Sequence, residues 1–360
     1  MAPLVPLPTT EGGELMAVTE EIIDLVRLSK ERAVALTDGQ VIALTRAWVD
    51  AWSELEPEFQ DALTTLLADA DGTIPARTVA RNQRVTQALQ HAAEQLDGLA
   101  STTEVTVAND LQTIVLDAAN TKYEALLRQL PEGAEHAWLN RLNTVALDAI
   151  VARTTQQIHS ATIPLSDETV RAMRAELVRG ITVGSNPNET ARRIVRRTEG
   201  QFNGGLARAA RIARTETLDA YRTADLQSAQ ANRTVIQSRI WMATLDSRTC
   251  GSCLANHGTE WPIDQFGPED HHQGRCVFIE QTKSWAELGF TGIEDNSLDL
   301  AAQRDAWWDN LTDDTQEHIL GPGKYELWQN GEITWSDLSK RVDNPGWRPA
   351  QVETPLKELV

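Results

Sequence analysis

The sequence predicts a mainly α protein with one small α+β module. Three observations carry this. Apolar residues recur at helical spacing through roughly the first 160 residues and again over 166–232. Only 234–245, TVIQSRIWMATL, is β-branched and partly alternating, as a strand should be. Directly after it, all three cysteines of the 360-residue chain fall between Cys250 and Cys276.

Residues 1–15, rich in Pro, Thr and Gly, are expected to form a flexible arm. Val41, Leu44, Trp48, Trp52, Leu55, Phe59, Leu63 and Leu66 then follow at spacings of three and four, one apolar stripe of a core-facing helix. Pro57 inside that run should kink or split the helix near Glu56. Breaks are expected at 71–75 and 130–135, which leaves a helical N-terminal region, 1–163. A central domain, 164–280, opens with Ser166 as a plausible N-cap for a helix through Val170, Met173 and Leu177. Asn186, Pro187 and Glu189 form a second helix start of the capping-box type, and an Ala- and Arg-rich helix follows over 206–232. The strand at 234–245 leads into the cysteines. The last segment, 281–360, carries Trp285, Trp307, Trp308, Trp328, Trp335 and Trp347 and is expected to be a short helical appendage.

The formal net charge is −19, with only six lysines, so arginine supplies most of the positive charge. Such a balance argues against sequence-independent binding of DNA over the whole surface. The exception is local: from Ser185 to Ile240 ten arginines face five acidic residues. Arg192, Arg193, Arg196, Arg197, Arg208 and Arg211 are therefore the candidate contacts to nucleic acid or to a partner. The N-terminus lacks a signal-peptide pattern, and no apolar run is long enough to span a membrane.

An odd number of cysteines excludes a complete disulfide framework, and their clustering favours reduced thiols around a metal. Cys250 and Cys253 form a C-x-x-C pair whose thiolates can face one ion; Cys276 supplies a third donor and either His271 or His272 a fourth. The expected ion is a structural Zn2+ that pins the loop between Cys253 and Cys276. A dithiol redox role needs the pair to open a helix, and LANHGTEW is a poor helix start. No H-E-x-x-H and no H-x-E before the C-x-x-C is present, which removes two catalytic zinc patterns.

The run from GITVGSNPNETARRIVRR through RAARIARTETLDAYRTA to RIWMATLDSRTCGSCLANHGTEWP and GPEDHHQGRC resembles the Mu F-type minor head proteins of tailed bacteriophages, the head morphogenesis family. Arg214, Thr215 and Glu216 match its helical segment; Trp241, Asp246, Arg248, Cys250, Cys253 and Gly258 match its middle. Arg275 and Cys276 match its closing R-C, and His271 its histidine. Gly274 stands where the family carries a further cysteine, and His272 where it carries proline. The resemblance implies a non-enzymatic virion component, few in copy, inside the capsid near the portal vertex and in the host cytoplasm during assembly. Its partners would be the portal protein and the capsid interior, with packaged DNA as a further contact, and its role head assembly and DNA packaging or delivery. Two alternatives stand beside it: a zinc-organised DNA-binding module, and an HNH-type metal-dependent nuclease suggested by Asp270-His271-His272 after the C-x-x-C.

Overall fold

The computed structural model describes residues 18–68, 73–130, 139–179, 181–182, 186–290, 299–343 and 349–360. The expected arm at 1–15, most of the break at 130–135 and Trp347 lie outside these residues. The described chain is mainly helical, with three small antiparallel sheets. None of its helices is long and apolar enough to cross a membrane.

Three helices dominate: α1 (Glu20–Ala68), α2 (Gln83–Leu127) and α5 (Pro187–Ala231), with the shorter α3 (Thr144–Thr162) and α4 (Leu165–Val178) between the last two. The chain divides into two compact units. One comprises Met1–Glu31, Leu116–Asn143 and Arg222–Val360, the other Arg32–Val115 and Thr144–Tyr221. The expected segments 1–163, 164–280 and 281–360 are consecutive in sequence, whereas each of these three helices contributes to both units. A 45-residue helix rises roughly 70 Å.

In the second unit the expected stripe is the core. Leu44, Trp48, Leu55, Phe59 and Leu63 are fully buried, and Trp52 packs on Phe59 and Phe202 with ring centroids 6.1 and 5.3 Å apart. The stripe continues through Leu67, not the half-buried Leu66. Pro57 does not split α1, which is one helix on both sides of it; burial of Leu55 and Phe59 outweighs the lost backbone bond. Thr73–Ile74 pairs antiparallel with Ile181–Thr182, a short ladder that the sequence did not suggest. Ser166 is not a cap: it lies inside Leu165–Val178, and its hydroxyl donates to the Ala93 carbonyl at 3.3 Å. Asn186 is one, its Oδ1 accepting from the amides of Asn188 and Glu189 at 3.1 and 3.3 Å. The two arginine-bearing stretches it opens form one continuous helix, running through Gly200, Gly204 and Gly205.

The first unit holds the expected strand as Ile236–Met242 (β3, counting the 73–74 and 181–182 pair as β1 and β2). It is the centre of a sheet ordered β4-β3-β5, with β4 at Glu260–Trp261 and β5 at Val277–Thr282. Behind the sheet is a fully buried charge quartet. Lys122 Nζ lies 2.9 Å from Asp225 and 3.0 Å from Glu280, and Arg239 lies 3.1 and 3.6 Å from the same two carboxylates. Burial and the neighbouring Asp225 push Glu280 up to about 7. The C-terminal segment is not purely helical. After short helices at Leu300–Asp309, Asp313–Leu320 and Pro322–Gln329 it forms a hairpin, Ser339–Val342 paired with Ala350–Glu353.

Candidate metal centre

Strand register assembles the site. Met242, the last residue of β3, pairs with Val277, the first of β5, so Cys276 is delivered beside the chain leaving β3. That chain then turns tightly. Asp246 Oδ1 accepts from the Arg248 amide at 2.9 Å, and the Thr249 amide donates to the Asp246 carbonyl at 2.9 Å. Arg275, next to Cys276, clamps the same Asp246 with two hydrogen bonds of 2.7 Å. The bidentate pair holds the Asp246 carboxyl down at about 2. It ties the turn before Cys250 to the strand start after Cys276.

Cys250 caps a six-residue helix, Gly251–Asn256. The expectation of a poor helix start after the C-x-x-C is thereby corrected; Leu254 is fully buried against Trp308, Leu320, Leu327, Ile333 and Leu338, and that burial fixes the turn. The helix ends at His257, whose Nδ1 accepts from the Ala243 amide at 3.0 Å. Gly258 follows at φ +84°, where a Cβ would collide with the Ala301 backbone.

Two overlapping donor groups result: Cys250, Cys253 and His271, and Cys253, Asp270 and Cys276, with the donor atoms of each within 4.8 Å of one another. Cys253 and Cys276 are buried and packed against Trp241, Ala243 and Phe278. His271 Nε2 stands 3.3 Å from Cys250 Sγ and 3.4 Å from Cys253 Sγ. Its Nδ1 is 2.9 Å from the His272 carbonyl, which selects the tautomer that leaves Nε2 to face the thiols. His272 is exposed and belongs to neither group. Cys253 belongs to both groups, with Cys250 and His271 in one and Asp270 and Cys276 in the other.

Without a metal the charges arrange themselves as a thiolate–imidazolium pair. The hydrogen bond from Cys253, reinforced by His271, lowers Cys250 to about 4. The thiol bonds to Cys250 and Cys276, with burial, push Cys253 up. Burial works against a charge on His271, but the bond to Cys250 and the charge of Asp270 outweigh it and raise it to about 10. Thiolates and an imidazole are the donors that zinc and other borderline ions take. A cavity of about 60 Å³ opens among Cys253, His271, Gly274 and Cys276. The donor set and the space fit a metal ion.

One contributor, Arg222, escaped the sequence, and another, Asp270, was read there only as part of the nuclease pattern. Arg222, buried on α5, donates from Nε to the Cys276 carbonyl at 3.0 Å and from Nη2 to the Gly274 carbonyl at 2.7 Å and Asp270 Oδ2 at 3.0 Å. It anchors the closing loop from below. Asp270 is its buried partner. The sequence signal for Arg222 was weak: in DAYRTA it follows Asp219 by three residues and sits among small and aromatic neighbours.

Residues 171–279 match the family model described as Phage Mu protein F like protein. The chain carries a Mu F-like domain. The match takes in roughly a third of the chain and includes Arg222, Asp246, all three cysteines, Asp270 and His271. No curated protein and no solved structure matches the chain. The candidate arginines lie on α5. Arg192, Arg193, Arg196, Arg197 and Arg211 are exposed. Arg197 lies 3.7 Å from Glu176, and Arg208 is ion-paired with Glu168.

Proposed function

We propose that this chain is a non-enzymatic minor head protein of a tailed bacteriophage, held inside the capsid at the portal and assisting head assembly and DNA packaging or delivery. The observation that carries this reading is the Mu F-like match over 171–279. The residues it covers are built around a cysteine–histidine cluster that closes a loop onto a sheet, which suits a rigid docking module. Zn2+ is proposed as a structural ion held by Cys250, Cys253, His271 and Cys276, because thiolate-rich, largely buried sites of this kind stabilise a fold.

Particles assembled without the protein are expected to form shells that are poorly infectious, and the protein should co-purify with the portal. Fully infectious particles lacking it would overturn the assignment. Elemental analysis of purified protein should find about one zinc per chain. A nuclease assay with Mg2+, Mn2+ or Zn2+ should show no cleavage; cutting abolished by His271→Ala would favour the nuclease reading.

A second reading, direct DNA contact, is favoured by the arginines of α5. At 100° per residue, Arg192, Arg193, Arg196, Arg197, Arg208 and Arg211 fall within one side of a single helix. DNA affinity that falls steeply with salt, and falls less steeply after Arg192→Ala with Arg196→Ala, would support it.

A further inference from the structure

Gly274 has no side chain, and the space one would need is filled by the carboxylate of Asp270. That carboxylate is fully buried, and its two oxygens are used differently. Oδ2 accepts from the Cys276 amide at 2.8 Å and from Arg222 at 3.0 Å. Arg222 does not take the carboxylate in a two-pronged grip; its remaining bonds go to the carbonyls of Gly274 and Cys276. Oδ1 accepts the His271 amide at 2.9 Å and then faces the cluster, 3.6 Å from His271 Nε2 and 3.7 Å from Cys253 Sγ. Two neighbouring ligands on an ion at about 2.0–2.3 Å lie roughly 3–3.7 Å from each other, whether the ion holds four donors or expands to five.

From this geometry we infer that Asp270 is itself a ligand of the metal centre, binding through Oδ1 in the place left by the missing side chain of residue 274. The inference rests on the metal reading above and adds a carboxylate to its thiolates and imidazole. One oxygen anchored by an arginine and an amide, with the other presented to the donor group, is how a ligating carboxylate is oriented. The surrounding charge agrees. Lys30 is 1% exposed, and its Nζ ends on the Thr244 hydroxyl at 3.1 Å instead of on a carboxylate. With Arg222 it places two cations beside the cluster, suited to a donor set that carries negative charge, while Arg275 is paired with Asp246.

The test loads the full-length protein with Co2+, whose visible bands report the donor set and whose sulfur-to-cobalt charge-transfer band counts thiolates. In Asp270→Asn the amide oxygen must turn to the Cys276 amide and Arg222, which leaves an NH2 group facing the ion. Cobalt affinity should drop by at least about tenfold, and the visible bands should shift with charge-transfer intensity per bound cobalt unchanged. In the double variant Asp270→Ala, Gly274→Cys a thiolate enters the vacated space, and the charge-transfer band should grow by one thiolate's share; circular dichroism checks that each variant is folded. Wild type that binds cobalt, with an Asp270→Asn variant of unaltered visible bands, would remove Asp270 from the ligands and leave the centre standing. Wild type that binds neither Co2+ nor Zn2+ would overturn the metal reading itself.

Discussion

Ser252, inside the C-x-x-C helix, meets Ser339 at the head of the C-terminal hairpin, hydroxyl to hydroxyl at 2.8 Å. Asn256 Nδ2 donates to the same Ser339 oxygen at 2.9 Å, and Arg304 reaches the carbonyls of Leu254 and His257 at 3.3 and 3.4 Å. The C-terminal segment is therefore part of the cysteine module. Ser339→Ala should cost about 1–2 kcal/mol, as half-buried partners lose a bond. Removal of 299–360 should uncover Leu254 and speed proteolysis between Leu254 and Gln273. A deletion variant with an unchanged cleavage rate would contradict this.

Lys122→Met should destabilise the protein by about 3–5 kcal/mol, because it leaves Asp225 and Glu280 buried with Arg239 as their one remaining cation within the quartet. The shift in urea midpoint measures it. A loss below about 1 kcal/mol would mean that the quartet is no stronger than a surface pair.

His257 should make the fold acid-sensitive. Burial, with Arg304 and Lys30 nearby, lowers it from 6.5 to about 3. Below pH 6.5 the unfolded chain takes up a proton that the folded chain resists, so stability should fall as pH drops from 6.5 toward 3, by roughly 1.4 kcal/mol per unit in mid-window, and the effect should level off below. His257→Gln keeps an acceptor for the Ala243 amide and removes the titration. Its stability should change less with pH over that window than wild type, as followed by urea unfolding.

Gly258→Ala should be costly twice over. The residue sits at φ +84°, and the new Cβ would lie 2.5 Å from the Ala301 nitrogen. Backbone strain alone contributes about 1–3 kcal/mol, and the collision adds to it. Gly204→Ala, mid-helix with nothing within 4 Å, should instead stabilise by roughly 0.5–1 kcal/mol. Thermal melts of the two should move in opposite directions.

The helical stripe through Trp48 and Phe59, the strand at 236–242 and the convergence of Cys250, Cys253, His271 and Cys276 were legible because periodicity and residue rarity are local signals. Arg222 and the quartet were not, and Asp270 was read only as part of a nuclease pattern. A charged residue in a sequence looks the same whether water or a buried partner neutralises it, and Lys122 meets the distant Glu280 only once the fold exists. The helix expected over 206–232 begins directly after Gly204 and Gly205. In the folded chain a Cβ on Gly205 would lie 3.0 Å from the Thr169 hydroxyl and 3.5 Å from Trp48 Nε1; close packing, not a break, accounts for that glycine. The strand SKRV shows no alternation of apolar residues and AQVE alternates over only four positions, too short a run to signal the hairpin they form.

The buried quartet also sets a schedule. Its members enter in chain order as Lys122, Asp225, Arg239 and Glu280, so it cannot close until the last has left the ribosome. At about 5–20 residues per second, the stretch after Lys122 takes roughly ten to thirty seconds to synthesise. Throughout that interval the lysine must remain hydrated or in temporary company. The first unit can reach its native state only after translation has passed residue 280, however early its first helix forms.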